Sequence, residues 1–428
     1  MSSGEKFDVA VVGAGPAGLS AAYFLAKKGF SVVVLERGME VGAKNVFGGR
    51  IYSHVLDGHF PGWRDEAPVE RWVRRERFSV ICKGASATID YSRDAGPRGS
   101  FTAFLGAFLR WLSSRVEAEG GLVASGVRVD AVDFVDGYAS GVRAGADSVA
   151  ADYVVIAEGA NSLLLEKHGL RRKPAGSEMA LGVKEVIRLG EGAIDARFGA
   201  GGEGVAHLFI GHPIRGVVGG GFLYTMREHV ALGLVMRLSD LGGGAAVAKD
   251  VVEDLRAAPA IRDLVGDGVP VEYSAHLVWE GGRETVMEEP FGNGYVVVGD
   301  AAGFLLNTGF TIRGVDMAME SGRLAAEAIA GAHGAGSRDR EGLSRYRALL
   351  EDSFVLGNMR RFSRAPRFLS RRRLYAEYVD AICGALGDLY SEGAEAKGAC
   401  ASVMAAAKSS GISIPTALAD MWEACRSI

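Results

Sequence analysis

The stretch Phe7 to Glu36, FDVAVVGAGPAGLSAAYFLAKKGFSVVVLE, decides the fold. β-Branched residues from Val9 to Val12 read as a buried strand running into Gly13-x-Gly15-x-x-Gly18. An Ala-rich helix follows, and a second apolar strand, Val32 to Leu35, ends on Glu36. Each part has a physical role. Gly13 makes the tight turn, Gly15 lets the backbone approach a pyrophosphate, and Gly18 lets the helix pack on the sheet. Ala14, Pro16 and Ala17 complete the turn into a helix whose first N–H groups and partial positive charge favour phosphates. Glu36, followed by Arg37, can accept hydrogen bonds from ribose hydroxyls and would repel a 2′-phosphate. The stretch predicts a dinucleotide site.

A second signal lies far along the chain. Asn293 to Ala302, NGYVVVGDAA, reads as a buried strand ending in Gly299-Asp300. Such an Asp suits the flavin-side ribose or the pyrophosphate, and two distant segments holding one long cofactor favour FAD over NAD. No second GxGxxG follows, which argues against a separate stable NAD(P) domain.

At 428 residues the chain is long enough for two interleaved domains and a C-terminal extension. The net charge of −4 gives no electrostatic case for nucleic acid. The first strand begins almost at Met1, so no signal peptide is expected, and no apolar run approaches the roughly 18–20 residues of a spanning helix. An intracellular protein with at most peripheral membrane contact is the expectation. Cys82, Cys383, Cys400 and Cys425 are scattered without a CxxC or iron–sulfur spacing, so structural thiols and no metal site are expected.

The pattern predicts an α/β fold: an FAD-binding Rossmann-like domain of the glutathione-reductase/hydroxylase type from residues 1–78, 100–166 and 291–335. Residues 79–99 and 167–290 contain alternating segments, such as Ala180 to Leu189 and Phe222 to Leu238, that read as an antiparallel sheet facing a substrate. Residues 336–428 read as a helical extension for docking a partner or membrane. Within the first domain, Phe101 to Glu119 has helical periodicity. Gly126 to Val135, Gly141 to Val149 and Ala151 to Ala157 read as strands, and Val315 to Ile329 as a helix.

Several longer runs together carry a family resemblance: Gly42-Ala43-Lys44-Asn45-Val46-Phe47-Gly48-Gly49, Ala180 to Val186, Ile194 to Phe198 and Gly219 to Thr225. Val271 to His276, Gly299 to Gly314 (GDAAGFLLNTGFTIRG) and Asp352 to Val355 extend it over nearly the whole chain. In these the chain resembles the electron-transfer flavoprotein–quinone oxidoreductases, most closely their FixC-type branch. The resemblance implies bound FAD, a quinone pocket, and electrons supplied by an electron-transfer flavoprotein within a Fix/Etf-type electron-bifurcating complex. Long members of the family carry a four-cysteine iron–sulfur domain, which this sequence lacks. FixC-type proteins instead associate with a separate small ferredoxin-like subunit. The resemblance thus implies a complex at the inner face of the cell membrane.

Gly13, Gly15, Gly18, Glu36 and Asp300 head the cofactor candidates, with Asn45, Gly48 and Gly49 expected near the flavin. Val127, in the GVRV segment, should place its backbone against the adenine, and Glu158-Gly159 stands where the family has Asp-Gly. Gly309, Arg313 and Gly314 precede a helix whose N-terminus can stabilise negative charge on a reduced flavin. For the quinone, the resemblance points to Gly219 and Gly220, with Tyr224, Glu280 and Gly281 as further wall candidates; a β-bulge is the plain alternative for the glycines. No catalytic His or carboxylate pair is demanded, because protons can arrive through water. Three further positions depart from the family: Leu105 and Leu109, where an Arg and an Asp are usual, and Trp279, where a Pro is usual. A missing Arg would leave more of the pyrophosphate to backbone N–H groups.

The run Arg360 to Arg373 interleaves basic residues with Phe and Leu, suiting anionic lipid headgroups or an acidic ferredoxin-like partner. Other functions fit less well. A prenyl-lipid reductase of the geranylgeranyl type shares the fold, but its Tyr-x-Trp-x-Phe-Pro motif is absent, and an aromatic hydroxylase would have an Arg shortly after Ser162. A flavin-stabilised scaffold subunit is the non-enzymatic alternative.

Overall fold

The structure, a computed structural model, describes residues 6–43, 49–214, 217–241, 248–393 and 396–428. The opening stretch folds as a strand, Lys6–Val12, a helix, Pro16–Ala26, and a parallel strand, Val32–Glu36. Lys6–Val12 pairs on its other side with Asp147–Ile156, also in parallel. Val9, Ala10 and Val11 are inaccessible, as befits a central strand covered on both faces. Tyr295–Val297 and Leu122–Ser125 extend the parallel sheet at its two ends. Ala131–Val135 and Tyr138–Ala144 form an antiparallel meander that joins the first half of Asp147–Ile156. Strands from each of the three sequence segments assigned to the nucleotide domain meet in this sheet, whereas Arg50–Tyr52, Arg71–Cys82 and Ser100–Thr102 of the same segments do not.

Helices Pro16–Ala26 and Val315–Gly334 pack together over it, with Ser20 Oγ donating to the carbonyl of Met319 at 2.7 Å. The latter helix runs five residues beyond the expected Ile329. The strand expected from Gly126 to Val135 starts only at Ala131. Gly126 to Asp130 form an irregular crossing, because the Gly126 and Val127 N–H groups donate to the carbonyls of Gly38 and Glu36 rather than to a strand ladder.

A second sheet runs in the order Val269–Trp279, Met179–Arg188, His229–Arg237, Gly219–Thr225, Gly204–Gly211, Arg71–Cys82, Ser100–Thr102, Arg50–Tyr52, with Ala85–Ser92 on the other side of Arg71–Cys82. It is antiparallel except where Gly204–Gly211 lies parallel to Arg71–Cys82. The expected boundary at 78/79 falls inside that strand and is corrected: after a register shift between Val73 and Arg75 its ladder runs in step from Arg75 to Ile81, across the boundary, so the strand belongs to the second sheet. Arg71 fastens its start. The guanidinium is 2 % exposed and donates to Asp195 Oδ1 at 2.5 Å, to the Arg227 carbonyl at 3.1 Å and to the Glu203 carbonyl at 3.3 Å.

Among the described residues after 339, the secondary-structure elements are all helices, from Arg340–Leu343 to Ile414–Ser427. Cys82 and Cys383, distant in sequence, come within hydrogen-bonding reach, and burial pushes the Cys383 thiol up to about 12. Among the described residues no helix is long and apolar enough to cross a membrane.

Candidate active site: a cavity between the two sheets

A cavity of about 570 Å3 lies between the layers. This volume falls within the usual range of roughly 300–1,000 Å3 for cofactor and ligand sites. At its nucleotide end stand Gly13, Gly15, Pro16, Ala17, Glu36 and Arg37. Gly13 adopts φ +103°, and a Cβ there would lie 2.5 Å from the Ala157 carbonyl oxygen. A Cβ at Gly18 would lie 2.0 Å from the carbonyl oxygen of Gly13, so this glycine serves helix packing and does not line the cavity. Around Gly15, the N-cap of the helix, a Cβ would meet nothing within 4 Å: its open side is the cavity itself. Glu36 accepts the Ala14 N–H at 2.9 Å and the Gly38 N–H at 2.7 Å, which fixes its carboxylate beside the turn with lone pairs left for ribose hydroxyls. Val127 lines the same end.

Glu158 and Gly159 also line it. The Glu158 carboxylate accepts the N–H groups of Leu164 at 2.8 Å and Leu165 at 2.9 Å, capping the short helix Leu163–Lys167 from outside. Burial raises its pKa while those N–H groups pull the other way. The longer acid thus has a structural task at the position where the family has Asp. Leu105 lines the cavity and Leu109 is wholly buried, so apolar surface stands at both departures.

Asp300 reaches the cavity from the turn Gly299–Ala302. Burial pushes its carboxyl up to about 6 against the pull of Arg171. Gly299 is packed behind it, where a Cβ would meet Ala17 Cβ at 2.8 Å. Trp279, the family's Pro position, holds this turn: its indole N–H donates to the Asp300 carbonyl at 2.8 Å, and the Arg171 guanidinium lies 4.0 Å from its ring centre. Gly314 caps helix Val315–Gly334 at the cavity wall. In its first turn the buried Asp316 is held by Arg313, and its Oδ1 has no hydrogen-bond partner. Arg313 and Gly309 stand behind the wall, with Gly309 N–H donating to Asn307 Oδ1 at 2.8 Å.

The second sheet supplies the opposite wall through Gly182, Lys184, Tyr224, His276 and Glu280. Glu280 accepts the Asn307 amide at 3.2 Å, and burial pushes it up to about 7. Burial raises the pKa of Tyr224 and lowers that of His276. Gly219, Gly220 and Gly281, expected against a quinone, are not among the residues that line this cavity. A Cβ on Gly219 would lie 2.0 Å from the Val235 carbonyl oxygen, and one on Gly220 would lie 3.0 Å from that of Phe209. Their missing side chains serve strand packing. Gly281 abuts Thr285 in the same way, at 2.2 Å. Gly49 is packed against Tyr224 and Met226, while Asn45 and Gly48 lie outside the described residues.

Sequence reasoning missed Arg50, Tyr52, His276 and Asp316 at the cavity. Arg50 pairs with Glu76 at 2.6 Å and lies 4.7 Å from the Tyr52 ring centre. Gly182 and His276 sit inside runs that carry the family resemblance, which was the available signal for them.

The raised carboxyls give a testable pH effect. Folded Asp300 and Glu280 hold protons above the ordinary carboxylate range, so between about pH 4 and 7 the folded protein binds more protons than the unfolded chain. Their contribution to stability therefore falls as pH rises through that window. In flavin-stripped protein, the melting temperature of the D300N/E280Q double variant should gain on the parent as pH rises from about 4 to 7. A constant difference across the window would refute the assignment.

The open side of Gly15, the cavity-facing Asp300 and the unpartnered Asp316 oxygen fit a dinucleotide running from the Glu36 end to the second sheet. Comparisons agree on its identity. Residues 8–96 match the family model described as FAD dependent oxidoreductase. The fold is shared with a geranylgeranyl bacteriochlorophyll reductase-like protein from Thermoplasma acidophilum, at TM-score 0.75 and 18 % identity over 98 % of this chain and 99 % of that one. It is also shared with the flavin-dependent brominase Bmp2, at TM-score 0.64 and 16 % identity over 95 % and 99 %. The chain is 39 % identical to a probable electron transfer flavoprotein-quinone oxidoreductase, YdiS, of Escherichia coli K12, over 91 % of both chains, and likewise to Protein FixC of that strain. Fold and site define an FAD-dependent oxidoreductase. Within that class the chain belongs to the family of FixC and the electron transfer flavoprotein–quinone oxidoreductases, and its reaction is electron transfer.

Proposed function

We propose that the chain accepts electrons from an electron-transfer flavoprotein and passes them through FAD to a membrane quinone. The observation that carries this is the cavity's continuity. It runs from the dinucleotide turn to a wall on the second sheet, in a chain alike over 91 % of its length to proteins named for that reaction. Bound FAD supplies the two-electron carrier. The chain's own residues that would hold it are Gly15, Glu36 and Asp300, and Gly182, Tyr224 and Glu280 line the wall left for the acceptor. The prenyl-lipid reductase reading has support from fold alone.

We further propose a Fix/Etf-type bifurcating complex with a separate ferredoxin-like subunit, peripheral on the cytoplasmic face of the membrane. The basic run supports a surface role only in part. Arg371 and Arg373 are committed to Asp420 and Arg372 to Asp240, whereas Arg360, Arg361, Arg364 and Arg367 are exposed. At about 1 kcal/mol per basic residue near an anionic surface, R364E/R367E should weaken binding to anionic vesicles by about thirtyfold or more. Unchanged co-sedimentation would remove this surface from the account. For the acceptor, photoreduced protein mixed anaerobically with a short-chain quinone should regain oxidised-flavin absorbance with one quinol formed per flavin. Flavin that stays reduced would contradict the reading.

A further inference from the structure

The strand Val269–Trp279 ends at a point fixed from both sides. Trp279 is tied to the Asp300 carbonyl, and the next N–H, that of Glu280, donates to the Glu178 carbonyl at 2.8 Å. The Glu280 side chain therefore enters the cavity from a rigid base. Among the described cavity residues supplied by the second sheet and its continuation, it is the one carboxyl. The other polar groups there are less suited to exchanging a proton. Lys184 is engaged by Glu272 at 3.0 Å and Arg50 by Glu76 at 2.6 Å, burial lowers the pKa of His276, and burial raises those of the Tyr52 and Tyr224 hydroxyls.

We propose that Glu280 is a catalytic acid, giving a proton to the electron acceptor as it is reduced and recovering that proton from solvent. This rests on the quinone reading above. Reduction of a quinone to a quinol consumes two electrons and two protons. Both electrons come from the reduced flavin. Glu280 transfers one proton to a quinone oxygen and becomes a carboxylate; solvent supplies the second proton and then reprotonates Glu280. The proton that the reduced flavin gives up on reoxidation is released to solvent. The surroundings suit both forms. The Asn307 amide, at 3.2 Å, donates to the carboxylate, and the charge of Arg237 at the end of strand His229–Arg237 favours it. From the C-terminal region the Tyr375 phenol faces the carboxyl and donates its own proton to the Leu369 carbonyl at 2.8 Å. Asp300 lines the same cavity as a second acid. Burial outweighs Asn307 and Arg237 and brings Glu280 up to about 7, where a proton is given and retaken at little cost.

The test compares FAD-loaded wild type, E280Q and E280D. Reduced flavin is reoxidised anaerobically by a short-chain quinone across pH, and in parallel by ferricyanide, which takes electrons without a proton. We expect E280Q to lose about a hundredfold or more in the quinone reaction, to lose the wild-type fall in rate above about pH 7, and to match wild type with ferricyanide. E280D should restore part of the pH dependence. In infrared difference spectra of the quinone reaction, a protonated-carboxyl band should change in wild type and be missing in E280Q. A wild-type quinone rate, an unaltered pH profile or a persisting carboxyl band in E280Q would overturn the role. Equal slowing with ferricyanide would also overturn it, by showing that the side chain only shapes the electron path. If wild type itself reduces no quinone, the acceptor reading fails and this proposal falls with it. An active wild type with an indifferent E280Q sinks the proposal alone.

Discussion

Replacing Gly15 with valine should give folded, colourless protein. A Cβ at Gly15 meets no protein atom within 4 Å, so the substitution strains little of the chain. The side chain instead occupies the space in front of the first helix turn, where the pyrophosphate must approach the backbone N–H groups. FAD affinity should fall at least about a hundredfold, near 2.7 kcal/mol. The melting temperature of flavin-stripped G15V should stay within a few degrees of stripped wild type. Absorbance of the purified protein near the flavin maxima gives the cofactor content directly. Normal flavin content would mean that the pyrophosphate lies elsewhere, and a collapse of the stripped protein would mean that Gly15 serves packing instead.

Arg71→Ala should have the largest effect on stability. It leaves the Arg227 and Glu203 carbonyls and the Asp195 carboxylate without the cation that joins the start of Arg71–Cys82 to the rest of the second sheet. Because Asp195 is about a third exposed, the loss comes mainly from the carbonyls left without donors and amounts to about 1–3 kcal/mol. Asp195 adds a pH dependence, because its bond to Arg71 holds its pKa below the ordinary carboxylate value. That contribution is present above about pH 4 and is lost as pH falls further, so the penalty of R71A should shrink in acid. Urea midpoints for wild type and R71A at neutral and acidic pH measure both effects. Since Arg71 does not line the cavity, folded R71A should still bind FAD. An unchanged midpoint would show that the joint is carried by strand pairing alone.

The nucleotide half of the site was legible because its determinants are local. Gly13, Gly15, Gly18 and Glu36 fall within one βαβ unit, so spacing alone brings them together. Asp300 could be added because a strand pattern leads straight into it. The substrate wall was less legible. Gly219 and Gly220 drew attention as residues without side chains, but close backbone approach within a sheet and close approach to a ligand leave the same mark in a sequence. His276 and Gly182 sit opposite each other across one ladder, and only the register of that ladder aims them at the cavity. Arg50 and Tyr52 escaped because a short strand after the nucleotide motif carries them across to the second sheet. Glu158 read as a departure from a cofactor motif, whereas its bonds to Leu164 and Leu165 give it a capping role six and seven residues along the chain. Arg371 to Arg373 looked like free surface charge because Asp240 and Asp420, which pair with them, are far away in sequence.

The central claim is that one cavity links an electron-transfer flavoprotein to a quinone through bound FAD. Its most direct measurement is a single anaerobic stopped-flow experiment on the FAD-loaded protein. Reduced electron-transfer flavoprotein is mixed in first and a short-chain quinone second, with the bound flavin followed throughout. The account predicts bleaching of the flavin by the donor, recovery on adding quinone, and one quinol per flavin cycled. In E280Q the first phase should be unaltered and the second slowed. Bleaching without recovery in wild type, or quinol formed while the bound flavin stays oxidised, would contradict the account.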